Sequence, residues 1–419
     1  MTREPARTTF HREALISLLH QAAELEHGLS CAYLFAAFSL KASADDGLPE
    51  VAVETVKRWR ETITEVAVQE MGHLAIVSNL LTSLGAAPHF DRPNFPQSCV
   101  YYLPDYQLEL LPFSDVTIER FVHLERPEGA SWQGRDETAP ARPPASANEN
   151  EIGPKAESFT TVTDLYAAIQ TGLDALVARL GEVAVFVGPK PASAVVRFFE
   201  SNGWLPVSDL KTAQKALENI ITEGEGDRGG RKDSHYGKFS RIQKELRDLN
   251  RTHAAFRPAR PVVTNPFPRT PPDATEEMNI VEDELASAMS DFFDQCYGTM
   301  LQLMARFFVI ADENEGEAET LIATAVALMK GAVGPLGTAL TLLPVGPSRP
   351  GRTAGPSFMV VRTIHALPFR RPAWALLHER LVELSAYAGE MSARPRAPSE
   401  TLRRVRHTLD AAADALTIR

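Results

Sequence analysis

Cysteine is scarce: Cys31, Cys99 and Cys296 are the whole complement, scattered along the chain and without a CxxC pair. An odd number of isolated thiols argues against a disulfide framework and against a cysteine-rich zinc site, and it suits reduced packing residues in a reducing compartment. Positive charge is also in short supply, 43 Lys and Arg against 54 Asp and Glu, which disfavours a general affinity for nucleic acid or an anionic membrane. No uninterrupted apolar run reaches the roughly 18 residues of a membrane span, and the opening MTREPARTTFHRE shows no apolar core before a cleavage site. The expectation is a cytoplasmic protein with a small-molecule partner, without nucleic-acid or membrane partners, and with a homo-oligomer left open. Period-two alternation is rare. PSFMVV is one of few stretches that could be a strand, too few for a sheet-based core, and no fixed-period repeat suggests a solenoid.

What remains is helix. Amphipathic segments run over 11–41, 49–85, 114–126, 162–182, 208–225, 234–251, 277–311, 315–333, 372–391 and 399–416, so the chain is expected to be mainly α with up to ten helices. Two stretches interrupt the pattern. Residues 126–154 are rich in Pro, Ala and charge and read as a surface excursion; 256–275 is denser still in Pro and reads as an extended strap. A boundary is placed there, dividing a bundle over 1–255 from a C-terminal helical region over 256–419.

The second helix poses a chemical problem. Its apolar stripe, Trp59, Ile63, Val66, Val77 and Leu81, is broken in EVAVQEMGHL by Glu70 and His73. At about 100° per residue, Glu70 points along the middle of that stripe and His73 lies roughly 50° from it, whereas Glu61 and Glu65 project away. An ionised carboxylate on a core face costs several kcal/mol unless a metal ion, a buried ion pair or a proton compensates it. On the first helix, Glu26 leans towards the stripe of Leu15, Leu18, Ala22, Leu25, Leu29 and Ala32, with Tyr33 two turns further along the same side. Glu24 and His27 form a second ExxH, but their phase is opposite and they are expected to be solvated. In DVTIERFVHLERPE, Glu125 falls among Ile118, Phe121 and Val122, while Glu119 and His123 point elsewhere. In SHYGKFSRIQKEL, His235 heads the stripe of Phe239, Ile242 and Leu246. Just upstream, Glu223 and Glu225 stand among glycines that free the backbone, so helical phase does not choose between them.

A lone Glu, a Glu-x-x-His, a further lone Glu, and a Glu followed by a His is the ligand inventory of di-iron carboxylate bundles. The i, i+3 spacing puts acid and imidazole one turn apart, within reach of one ion. A satisfied polar pair in the core is the plainer alternative for any single His.

The chain resembles the ferritin-like proteins related to the ferritin-like region of iminophenylpyruvate dimer synthases, the chromopyrrolate and violacein pathway enzymes. The resemblance rests on AELEHGLSCAYLFAAFSL, VAVQEMGHLAIVSNLLTSLGAAPHFDRPNFP, FVHLERPE, EGEG with SHYGKF, and TAGPSF. It implies a ferritin-like four-helix bundle with a helical C-terminal extension, an iron site, and oxidative chemistry on small nitrogen-containing metabolites. Carried over by position, the metal-site residues would be Glu26, Glu70, His73, Glu125, Glu225 and His235. The chain looks too short to hold the large additional region of the dimer synthases. Glu225 and His235 are ten residues apart, which leaves one iron ion an alternative to two, and manganese is compatible with the same ligands. The expected activity is a non-haem iron oxidase or oxygenase using dioxygen, with Tyr33 and Tyr166 as electron or proton relays. Iron sequestration without catalysis and a metal-free polar core are the competing expectations.

Overall fold

A computed structural model describes residues 11–98, 106–127, 159, 161–224, 232–253, 256–309, 312–361, 363–365 and 367–417. Two long helices, α1 (Arg12–Ser39) and α2 (Glu50–Ser83), pack along each other and form its backbone. The stripe read from α2 is the buried face: Trp59, Ile63, Val66, Val77 and Leu81 are all enclosed. There follow α3 (Asp115–Leu124), α4 (Val162–Leu180), the single turn α5 (Glu182–Val185), α6 (Ser193–Ser201), α7 (Leu210–Gly224) and α8 (His235–Thr252). Helix α4 lies against α1 and α7, while α8 lies against α2 and α3. The fold is mainly α and ferritin-like, as expected. α6 was not foreseen, because its apolar contribution is brief: Ala194, Val195 and Phe199 are its buried residues.

The C-terminal helices are α9 (Glu284–Phe308), α10 (Glu315–Leu328), α11 (Gly334–Leu340), α12 (Arg370–Ser392) and α13 (Ser399–Ala415). A wider turn at Met329–Val333 joins α10 to α11, giving one helix over Glu315–Leu340 that is long and apolar enough to cross a membrane by length and composition alone. In this fold half of its apolar window is buried, and α10 packs on α9 and α13. Residues from both sides of position 256 contribute to one contiguous buried cluster, from Leu15 to Leu416.

Strand is confined, among the described residues, to two-residue pairs: β1 (Gln97–Ser98) antiparallel to β2 (Gln107–Leu108), and β3 (Pro266–Phe267) parallel to β4 (Asn279–Ile280). PSFMVV forms no strand. Its backbone groups go to side chains instead: Met359 N–H to Asp294, Val360 N–H to Asn94, and the Phe358 carbonyl to Arg92. The proline-rich strap is tied down at Arg260, whose backbone N–H reaches the Ser39 carbonyl at 2.8 Å and whose guanidinium reaches the Leu40 carbonyl at 2.8 Å and Asp46 at 2.7 Å. Nearly all of the excursion over 126–154 lies outside the described residues.

Candidate metal centre

Four elements deliver buried polar groups to one place between α1 and α2. Glu70 and His73 project from the same face of α2, one turn apart, with Nδ1 of His73 2.8 Å from Oε2 of Glu70. Glu26 of α1 adds its Oε2 at 3.4 Å from the same nitrogen. Glu125 closes the C-terminal end of α3, a short helix whose start is fixed by the Ser114 hydroxyl accepting from Thr117 N–H. Ser234 caps α8 in the same manner through Gly237 N–H and so sets His235 at the first helical position. From there Nδ1 of His235 lies 3.0 Å from Oε1 of Glu70 and 3.6 Å from Oε2 of Glu125.

Two groups of three could each hold a metal ion: Glu26, Glu70 and His73, and Glu70, Glu125 and His235. Glu70 belongs to both and presents a different oxygen to each histidine. The arrangement is close to symmetric, because each outer carboxylate also receives a tyrosine hydroxyl: Tyr166 donates to Oε1 of Glu26 and Tyr33 donates to Oε1 of Glu125. Behind His73, Oε2 of Glu223 stands 3.1 Å from Nε2. Glu223 thus faces the outer nitrogen of the imidazole rather than the shared interior. Gly224, next to it, passes so near that a Cβ there would lie 3.5 Å from Oε2 of Glu125. Glu225 lies outside the described residues.

Several of these groups are enclosed yet not matched by hydrogen bonds. Oε2 of Glu26, Oε1 of Glu70 and both ring nitrogens of His235 have no hydrogen-bond partner, although opposite groups stand only 3.0 to 3.6 Å away. Buried polar atoms are rarely left so. Close approach without hydrogen-bond alignment is what donors around one cation show, since ligands about 2.1 Å from an ion at right angles sit about 3 Å apart. The donor set, carboxylate oxygen with imidazole nitrogen, suits iron or manganese. Without an ion, protons carry the compensation. Burial opposes charge on Glu70, but His235 and His73 outweigh it and hold its carboxyl well below the usual range. Burial and the neighbouring Glu70 push Glu26 up to about 7, and the same two causes raise Glu125. Against the burial penalty, the charge of Glu70 leads the contacts that raise His73 well above an ordinary imidazole and lift His235 to about 9.

One expectation is overturned. His27 is buried, not solvated, and Glu24 is only partly exposed, pairing with His89 at 3.2 Å. The phase argument fails there because α1 is buried throughout from Leu25 to Ser39, with α11 packed on it and Tyr297 of α9 reaching His27 and Cys31. His27 meets the hydroxyl of Tyr297 on α9, and Cys31 lies 3.1 Å from the same oxygen. Cys31 and Cys296 are free and buried, as expected; Cys99 lies outside the described residues.

Two of the stretches that carry the resemblance come together here, away from the carboxylates. The guanidinium of Arg92, from HFDRPNFP, is buried over the Phe95 ring and donates to the Phe358 carbonyl in TAGPSF. Ser357 and Met359, on either side of Phe358, both donate to Asp294 of α9. Phe358 itself holds φ 48°, a strained conformation for a bulky residue that this clamp over-determines. No sequence pattern flagged Asp294. Burial pushes its carboxyl up to about 8 against those two hydrogen bonds. A carboxyl raised from an ordinary value near 4 binds its proton more tightly in the folded chain, so its contribution is complete at low pH and is lost as pH climbs from about 4 to 8. Chemical unfolding across that window should show wild type losing stability with rising pH more steeply than Asp294→Asn; equal slopes would remove Asp294 from the account.

A Ferritin-like family model matches residues 19–244, and the chain belongs to that family. Among characterised proteins it is similar to dichlorochromopyrrolate synthase of Lentzea aerocolonigenes, 29% identical over 387 residues, covering 83% of this chain and 36% of that protein. It is also similar to 2-imino-3-(indol-3-yl)propanoate dimerase of Chromobacterium violaceum, 28% identical over 361 residues, covering 82% and 33%. The chain therefore spans about a third of the length of these relatives. Among solved structures, a ferritin-like protein from Caulobacter vibrioides aligns at 17% identity with a TM-score of 0.45, covering 78% of this chain and 93% of that one.

Proposed function

We propose that this protein is a non-haem iron oxidoreductase that holds two iron ions and uses dioxygen on a small, amino-acid-derived, nitrogen-containing metabolite, in a cytoplasmic secondary-metabolite pathway. The observation that carries the proposal is the shared carboxylate: Glu70 lies between two buried Glu and His groups, each with donors that no hydrogen bond satisfies. Glu26 and His73 would hold one ion, Glu125 and His235 the other, and Glu70 both. Bound iron would supply the redox chemistry with dioxygen that these side chains lack. The substrate class is taken from the relatives, a dichlorochromopyrrolate synthase and a 2-imino-3-(indol-3-yl)propanoate dimerase.

The remaining roles belong to the chain. Tyr166 and Tyr33 fix the orientation of the outer carboxylates, and Glu223 holds the ring of His73 from behind; partners of this kind tune ligands and set their geometry. The same contacts would let the two tyrosines pass a proton or electron towards the carboxylates. The surrounding helices exclude water from five nearly inaccessible groups, whereas the side chain of Glu223 is 37% exposed and marks the side where solvent comes nearest. Tyr166→Phe and Tyr33→Phe should each weaken ferrous binding by roughly 10- to 100-fold, read by anaerobic titration. Unchanged affinity in both would deny the tyrosines this positioning role.

The functional test is oxygen consumption by iron-loaded protein with and without a panel of aromatic amines, imino acids and indolic acids. Substrate-dependent uptake is expected. Iron binding with no uptake across the panel would point to sequestration, and failure to bind ferrous ion would end both readings.

A further inference from the structure

A separate cavity lies elsewhere in the molecule. It measures about 730 Å³ and lies between α9, α12 and the residues Val360, Val361 and Ile364, a size usual for small-ligand sites, and it shares no residue with the carboxylate centre. Part of its lining is apolar and aromatic: Phe292 and Tyr387 pack against each other at a tilt of 51°, ring centroids 5.4 Å apart, beside Leu384. Leu376, 43% exposed, and Val361, 51% exposed, stand at the mouth.

The charged lining is lopsided. Among the described lining residues, four acids, Asp291, Asp294, Glu379 and Glu383, meet two bases, Arg269 and Arg380. Both bases are already engaged. Arg269 grips Asp291 with two nitrogens at 3.0 Å, and Arg380 is shared between Glu383 at 3.3 Å and the amide oxygen of Gln295. Glu379 has no ion partner within 4 Å among the described residues, and Asp294, 2% exposed, has only the neutral donors Ser357 and Met359. A carboxylate offers about four acceptor positions, so Asp294 retains capacity for another donor.

We propose that this cavity is a second small-molecule site, selective for an organic cation, an ammonium group carried on an aromatic or aliphatic body. The ammonium would meet the acids that no ion pair engages, Asp294 at the floor and Glu379 at the rim, while Tyr387, Leu376 and Val361 offer aromatic and apolar surface to the body. An anion of the same shape finds no base free of an acid or amide partner among the described lining residues. Asp294 reaches this position because burial favours its neutral form in the empty cavity, and an arriving cation supplies the counter-charge that would let it ionise.

Gly298 makes the inference testable without disturbing the fold. It lines the cavity from α9, and a Cβ added there meets nothing within 4 Å. Gly298→Phe should therefore fill the space, and replacing a mid-helix glycine favours the helix. Calorimetric titration of the full chain would use 2-phenylethylammonium, benzyltrimethylammonium and phenylacetate, with and without bound iron. The two cations should bind saturably, one per chain, independently of iron, and phenylacetate should not. Asp294→Asn should weaken the cations by about tenfold or more, and Gly298→Phe should remove binding while the melting temperature and iron content hold. The proposal is overturned if neither cation binds, if phenylacetate binds as well as the cations, or if a folded Gly298→Phe protein binds them undiminished. Because the readout needs no turnover, it stands or falls separately from the iron chemistry.

Discussion

Glu70→Ala should abolish iron binding altogether. Glu70 is the residue common to both groups, with Oε2 2.8 Å from His73 and Oε1 3.0 Å from His235. Without it each group falls to one carboxylate and one imidazole, and nothing joins them. The loss should exceed the roughly 10- to 100-fold that follows removal of a supporting residue, and no ferrous ion should be retained on gel filtration. His73→Ala should lose the ion of its own group and leave at most one, the ion held by Glu70, Glu125 and His235. Glu24→Ala and His27→Ala are the contrast, because Glu24 pairs with His89 and His27 turns towards Tyr297 on α9. Both variants should titrate with iron as wild type does. Comparable loss in both pairs would mean that facing direction on α1 and α2 does not define the site.

Arg306→Ala should produce the largest loss of stability, about 3 to 5 kcal/mol in chemical unfolding. Arg306 and Glu313 are an ion pair whose side chains are both fully enclosed, joined by two bonds at 2.6 and 2.7 Å. Nη1 of Arg306 donates to the Leu367 carbonyl at 2.7 Å and the Pro368 carbonyl at 3.2 Å, and Trp374 of α12 donates to Glu313 at 3.2 Å. The pair thus pins the end of α9 to the start of α12. Truncating the arginine alone strands a carboxylate in the interior, so Glu313→Ala added to Arg306→Ala should recover part of the loss. A double variant no more stable than the single one would show that packing, not the orphaned charge, dominates.

The parts of this protein that a helical period can encode were readable in advance. Glu70 and His73 interrupt a stripe with a single buried face, so their phase singles them out; His235 stands out because it heads the stripe of Phe239, Ile242 and Leu246. Glu125 was a weaker inference and owes its place to the end of α3, where the chain stops being periodic. His27 shows the limit. Phase distinguishes inside from outside only when one side is solvent, and α1 has protein on both. The glycines beside Glu223 removed the phase that could have separated it from Glu225, and its role behind His73 emerged only from the distance to Nε2. Asp294 and Arg92 were invisible for another reason: they are matched by backbone groups of a segment more than 60 residues away, a relation that no local pattern records.

Anomalous diffraction at the iron absorption edge, from crystals of iron-loaded protein, tests the central claim most directly. Two peaks are predicted, one among Glu26, Glu70 and His73 and one among Glu70, Glu125 and His235, with Glu70 reaching both. Loaded crystals with no anomalous density beside Glu70, or with iron only at surface carboxylates, would contradict it.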